Sequence, residues 1–232
     1  MKRLLSFALL TLSPVAIAQE FSLDRIVVTG SRIDTYGLPA VNIERPADFL
    51  AQSVRIVNDS RAPELRRQEI LATLKQLHVN ARRLGGVELS MGDEYLNALR
   101  LDDEALELQT DDKRADTSYL DLYIERRFDP RRPAVDQIRE LREFIRDARM
   151  DGRSMLEPKG EIALSLVKPE RYRAEILAAI ADELQRIRGQ FPASCTLTVH
   201  GLAGRVQWMR IGTAQLALYI EHEIAMAGCA DR

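Results

Sequence analysis

The sequence predicts an α+β fold: a two-layer sandwich with helices packed on a mostly antiparallel sheet. Three observations carry this prediction. Short apolar stretches alternate with period two. Three longer stretches carry an apolar stripe at helical spacing. The two kinds interleave in the order β-α-β-β-α-β-α-β-β-β. Alternation on most strands implies that one sheet face meets the helices and the other stays wet.

The elements follow in order. Ile26 to Thr29 reads as a short strand stopped by Gly30, inside an extended lead-in that contains Gly37, Pro39 and Pro46. Leu50, Val54 and Ile56 share one strand face, and Asn58-Asp59-Ser60 ends that strand. The first helix spans about 62 to 83. Leu65, Ile70, Leu71, Leu74, Leu77, Ala81 and Leu84 form its stripe, Pro63 lies in its first turn, and Gly85-Gly86 stops it. Val87 to Leu99 reads as one strand bent at Gly92. Asp102 to Asp116 is acidic loop. From Ser118 to Arg126, Leu120, Leu122 and Ile124 point inward, while Tyr119, Asp121, Tyr123 and Glu125 point to water. Asp129-Pro130 opens the second helix, with Val135, Ile138, Leu141, Ile145 and Ala148 on its buried side. Ile162, Leu164 and Leu166 mark a further strand, and Pro169 begins the third helix. Leu197 and Val199 lie on the next strand. A turn at Ala203-Gly204 leads to strands at Val206 to Ile211 and Leu216 to Met226.

Residues 1 to 18 read as a cleavable secretory signal. Lys2 and Arg3 are followed by an apolar stretch shorter than the roughly 20 residues of a membrane span, then by Ala16-Ile17-Ala18 as cleavage site. The expected organisation is a signal at 1–18, a lead-in at 19–46 and one domain at 47–226, working in the periplasm. The chain has a net charge of −2, which excludes general attraction to nucleic acid, and 46% apolar residues, enough for a packed core. No stretch after the signal is long and apolar enough to cross a membrane. Two cysteines in an exported chain predict a Cys195–Cys229 disulfide that would staple the last strand to the sheet.

The order of elements resembles the SIMPL-domain family of exported bacterial proteins. The likeness lies in the proline-acidic start PADFLAQSVRIV (46–57), the long helix after it, the strand pair around a variable loop, the Lys168-Pro169 step, and IVVTG at 26–30. The sequence departs from the family by adding two strands after residue 204. The resemblance implies a role in envelope or oxidative stress. RIVVTGSRI at 25–33 is also similar to the stretch ahead of the plug in TonB-dependent receptors, although no plug or barrel of that size follows.

The sequence shows no G-x-S-x-G elbow and no phosphate-binding glycine loop. His78 reads as solvent-facing. His222 falls on the apolar strand face, and alternation turns Glu221 and Glu223 away from it and from any metal shared with His200. Arg126, Arg127, Arg131 and Arg132 form a basic cluster around Pro130, a candidate site for an anionic head group or cell-wall polymer. Trp208, Tyr119, Tyr123 and Tyr219 are expected at a wet sheet face or a subunit contact. The expectation is a periplasmic binding or assembly protein without catalytic centre, metal or cofactor, with homo-oligomer formation as a partner mode. An envelope enzyme, or an accessory subunit of an outer-membrane transport complex, is the alternative.

Overall fold

A computed structural model of the chain describes residues 25–28, 37–92, 95–99, 101 and 106–229. The secretory signal expected at 1–18 and most of the receptor-like segment lie outside the described residues. The elements run β1 (Arg25–Val28), β2 (Ile43–Pro46), β3 (Phe49–Asn58), α1 (Pro63–Leu84), β4 (Val87–Met91), β5 (Tyr95–Ala98) and β6 (Gln109–Thr110). They continue with β7 (Ser118–Arg127), α2 (Ala134–Arg146), β8 (Ser154–Val167), a 3-10 turn (Pro169–Tyr172) and α3 (Arg173–Gln190). The last third holds β9 (Thr196–His200), β10 (Gln207–Arg210), β11 (Gln215–Tyr219) and β12 (Glu223–Ala227).

The two-layer sandwich is overturned. Strand β3 pairs along its whole length with both β7 and β8, and the ring continues through β1, β5 and β4 back to β7. The result is a closed six-stranded antiparallel barrel, with β6 added beside β7. Alternation tells which side chains share a strand face. It cannot tell whether the sheet stays open or curls until its edges meet. A register shift between Ala51 and Ser53 against β8 helps the closure. There Gly160 takes φ +63° and Gln52 donates from Nε2 to the Lys159 carbonyl at 2.8 Å. Such a bulge bends the long β8, whose Leu164 and Ser165 pair with β3 on one edge and β1 on the other.

One face of the barrel strands carries Leu50, Val54, Ile56, Leu120, Leu122, Ile124, Leu164 and Leu166. These pack with Ile70, Leu74 and Leu77 of α1, Leu141 of α2 and Ile176 of α3 in one apolar core. Each fully buried Leu or Ile contributes about 1.5–3 kcal/mol. The opposite face supplies Phe49, Ala51, Leu96 and Ala163, buried apart from that core, together with Arg25, Ser90, Glu125 and Ser165. Glu125, expected in water by alternation, is fully buried because closure covers the second face as well.

Other boundaries differ from expectation. The strand expected at 87–99 divides into β4 and β5, and that expected at 216–226 divides into β11 and β12, which belong to different sheets. The Ala203-Gly204 turn, closed by Gly204 N–H to the Gly201 carbonyl at 2.8 Å, joins β9 and β10, which do not pair. Instead β9 pairs with β12, while β10, β11 and β2 make a three-stranded sheet. Helix α2 begins at Ala134 rather than at Pro130, so Val135 sits exposed in its first turn. Buried Gln137 reaches back to hold the Asp129 N–H and carbonyl at 2.9 and 2.8 Å, which keeps residues 129–132 in a separate turn. The chain begins α3 only after the 3-10 turn. Leu65 and Leu84, at the ends of the expected α1 stripe, are exposed.

Candidate functional site

Strand β8 ends at Val167, and the next residue, Lys168, adopts a left-handed conformation with φ +46° and ψ +70°. Proline disfavours helical geometry in its predecessor, and a left-handed non-glycine residue stores about 1–3 kcal/mol of strain. Pro169 is buried, so Lys168 is turned out where the 3-10 turn starts. Two interactions bind this turn to the loop before β10. Glu170 Oε1 accepts the Val206 N–H at 2.9 Å. Arg173 donates to the carbonyls of Gly204 at 2.7 Å and Leu202 at 2.6 Å. Arg205 and Trp208 are thereby brought beside Lys168.

Between these pieces lies a cavity of about 590 Å³, within the range of small-molecule sites. Lys168, Arg171 and Arg205 supply three positive charges to its lining, and Glu170 the one carboxylate among the described lining residues. Arg171 is engaged: its Nη2 lies 2.8 Å from Asp48 Oδ2 and donates to the Tyr172 hydroxyl at 2.7 Å. Burial opposes the charge on Arg171, but these two partners outweigh it and hold the guanidinium above its ordinary value. Lys168 and Arg205 are exposed and make no ion pair or side-chain hydrogen bond among the described residues. Trp208 packs against the apolar core on one side and lines the cavity on the other. Tyr95 of the barrel completes the wall.

The barrel interior holds a second concentration of charge. Arg25 pairs with Glu125 at 3.1 Å and with Glu88 at 2.7 Å, and its guanidinium lies 4.4 Å from the centre of the Phe49 ring. Ser90 donates to Glu125 Oε2 at 2.7 Å. Glu125 Oε1 and the Ser165 hydroxyl are buried without a hydrogen-bond partner among the described residues. Burial works against the Arg25 charge, yet the two glutamates hold the guanidinium above its ordinary value.

The residues singled out from sequence are distributed as follows. Arg126 and Arg132 converge on Glu140 of α2. Arg127 sits 5.0 Å from the Phe49 ring centre, and Arg131 is 93% exposed at 3.8 Å from Asp129. The four arginines therefore do not share one site. Cys195 and Cys229 are paired, with Cα atoms 4.2 Å apart, joining the approach to β9 with the end of β12. His222 lies in the connection between β11 and β12, half-buried, with Nδ1 2.7 Å from the Ile220 carbonyl oxygen. His200 is exposed and His78 half-buried. Among the described residues no group of His, Cys, Asp and Glu side chains is arranged to hold a metal. No helix among them is long and apolar enough to cross a membrane.

Sequence reasoning missed the cavity. Lys168 before Pro169 and the lone Trp208 were visible signals, but they are 40 residues apart and only the Glu170 and Arg173 contacts unite them. Comparison of the chain with protein-family models, curated proteins and solved structures finds no match.

Proposed function

We propose that this chain is an exported, SIMPL-like binding protein of the bacterial periplasm, and that it holds a small anionic ligand in the cavity beside Lys168. The observation that carries the reading is the pair Lys168 and Arg205, two cations on one cavity wall with no carboxylate engaged to either among the described residues. Binding is favoured over catalysis by the rest of the lining. Its one carboxylate is occupied by Val206 N–H and Arg173, and no serine, threonine, cysteine or histidine is among the described lining residues. Export is supported by the cleavable-signal pattern at 1–18 and by the Cys195–Cys229 pair, since disulfides persist in oxidising compartments.

Trp208 is the chain's single tryptophan, so its fluorescence reports on this cavity. Titration of the oxidised protein with small carboxylates and phosphate esters should shift that emission saturably. The shift should vanish in the Lys168→Ala/Arg205→Ala variant. An unchanged emission across the anion series rejects the reading. Turnover of any of these compounds would favour the envelope enzyme instead.

A further inference from the structure

We infer that the ligand of this cavity is an acidic sugar, a ring bearing a carboxylate or a phosphate; the inference rests on the anion-binding reading above. Three features of the lining are needed together. Lys168 and Arg205 present unengaged cations, which match one concentrated negative charge. Trp208 is anchored in the apolar core and offers the cavity a fixed aromatic surface, with Tyr95 as a second one. Gln207 and the Tyr95 hydroxyl add neutral donors and acceptors at the same wall.

Each simpler ligand leaves part of this lining unused. An inorganic anion would meet the two cations but leave the aromatic surfaces and most of the 590 Å³ unfilled. A purely apolar acid would cover Trp208 and Tyr95 but offer no polar group to Gln207 or the phenol. A neutral sugar would leave both cations without a partner. A sugar ring has C–H faces to lie on the indole and hydroxyls to exchange with the amide and phenol. Its acid group then reaches Lys168 and Arg205.

Isothermal titration calorimetry on the oxidised full chain tests this with D-glucuronate, D-glucose 6-phosphate, D-glucose, benzoate and sulfate. Saturable binding of at least one of the two acidic sugars is expected, with glucose and benzoate each weaker by roughly tenfold or more. Preference between the two acidic sugars then identifies the acid group. Tyr95 is 40% exposed and lies outside the main core, so Tyr95→Ala keeps the fold. It should weaken the acidic sugar while leaving sulfate, which meets only Lys168 and Arg205, unchanged. If benzoate or sulfate binds as tightly as the sugar acids, the sugar assignment falls and the anion site stands. If no anion binds, both fall.

Discussion

Arg25 Nη1 lies 3.1 Å from Glu125 Oε2 inside the barrel, although the two residues are 100 positions apart in the chain. The pair joins β1 to β7, two ring members that do not hydrogen-bond to each other. Removing the guanidinium alone would leave Glu125 buried with Ser90 as its remaining partner among the described residues. Arg25→Met is therefore expected to destabilise the protein by about 3–5 kcal/mol, measured by urea unfolding. Arg25→Met/Glu125→Leu should recover most of that loss, because it removes the stranded charge. A loss near zero for the single variant would contradict a closed barrel in this region.

Glu69 of α1 accepts hydrogen bonds from Asn58 at 2.6 Å, Ser60 at 2.7 Å and the Arg153 N–H at 3.1 Å. The Asn58 bond, then those of Ser60 and Arg153, hold its carboxyl below the usual glutamate range. A depressed carboxyl contributes stability above the unfolded-state value and loses it as pH falls through the folded-state value. Glu69→Gln should melt lower than the parent at about pH 7, and the gap should narrow as pH falls below the usual glutamate range. A gap constant across that range would show that the charge on Glu69 plays no part.

Gly152 takes φ +54°, and a Cβ there would overlap the Glu69 carboxylate. Gly152→Ala is expected to cost about 1–3 kcal/mol, from left-handed strain plus the clash. In a Glu69→Ala background the clash is gone, so the two substitutions should be non-additive in a double-mutant cycle. Simple additivity would place the whole cost in the backbone.

The Cys195–Cys229 link spans 34 positions and closes the β9–β12 ribbon, a two-stranded sheet of its own. Isolated two-stranded ribbons are marginal in water. Cys195→Ala/Cys229→Ala should lower stability by about 2–4 kcal/mol in urea unfolding. Amide exchange in β9 and β12 should quicken more than in β3. Non-reducing digestion should yield one peptide pair joined through these cysteines.

Much of the local structure was legible along the chain. The apolar stripe from Ile70 to Ala81 and the glycines at 85 and 86 place α1 within a residue or so of its observed ends. The alternation of Leu120, Leu122 and Ile124 gives the core face of β7 correctly. It failed for Glu125, because a charged residue in an alternating strand signals water only when the sheet has a free face. It failed again around His222. Leu216 to Ile224 keeps an apolar period through a break at residues 220–222, where the chain passes from one sheet to another.

Local chemistry by itself determined the three helices and the long strands β3, β7 and β8, which face of them is apolar and which two cysteines can pair. Those properties depend on near neighbours or on composition. Tertiary structure alone decided that the sheet closes, because closure depends on β3 finding two long partners and on β1 bridging β8 to β5. It also decided the cavity. A strained Lys168 at the end of one strand and an Arg205 before another become one anion-facing wall only after Glu170 and Arg173 bind the two loops together.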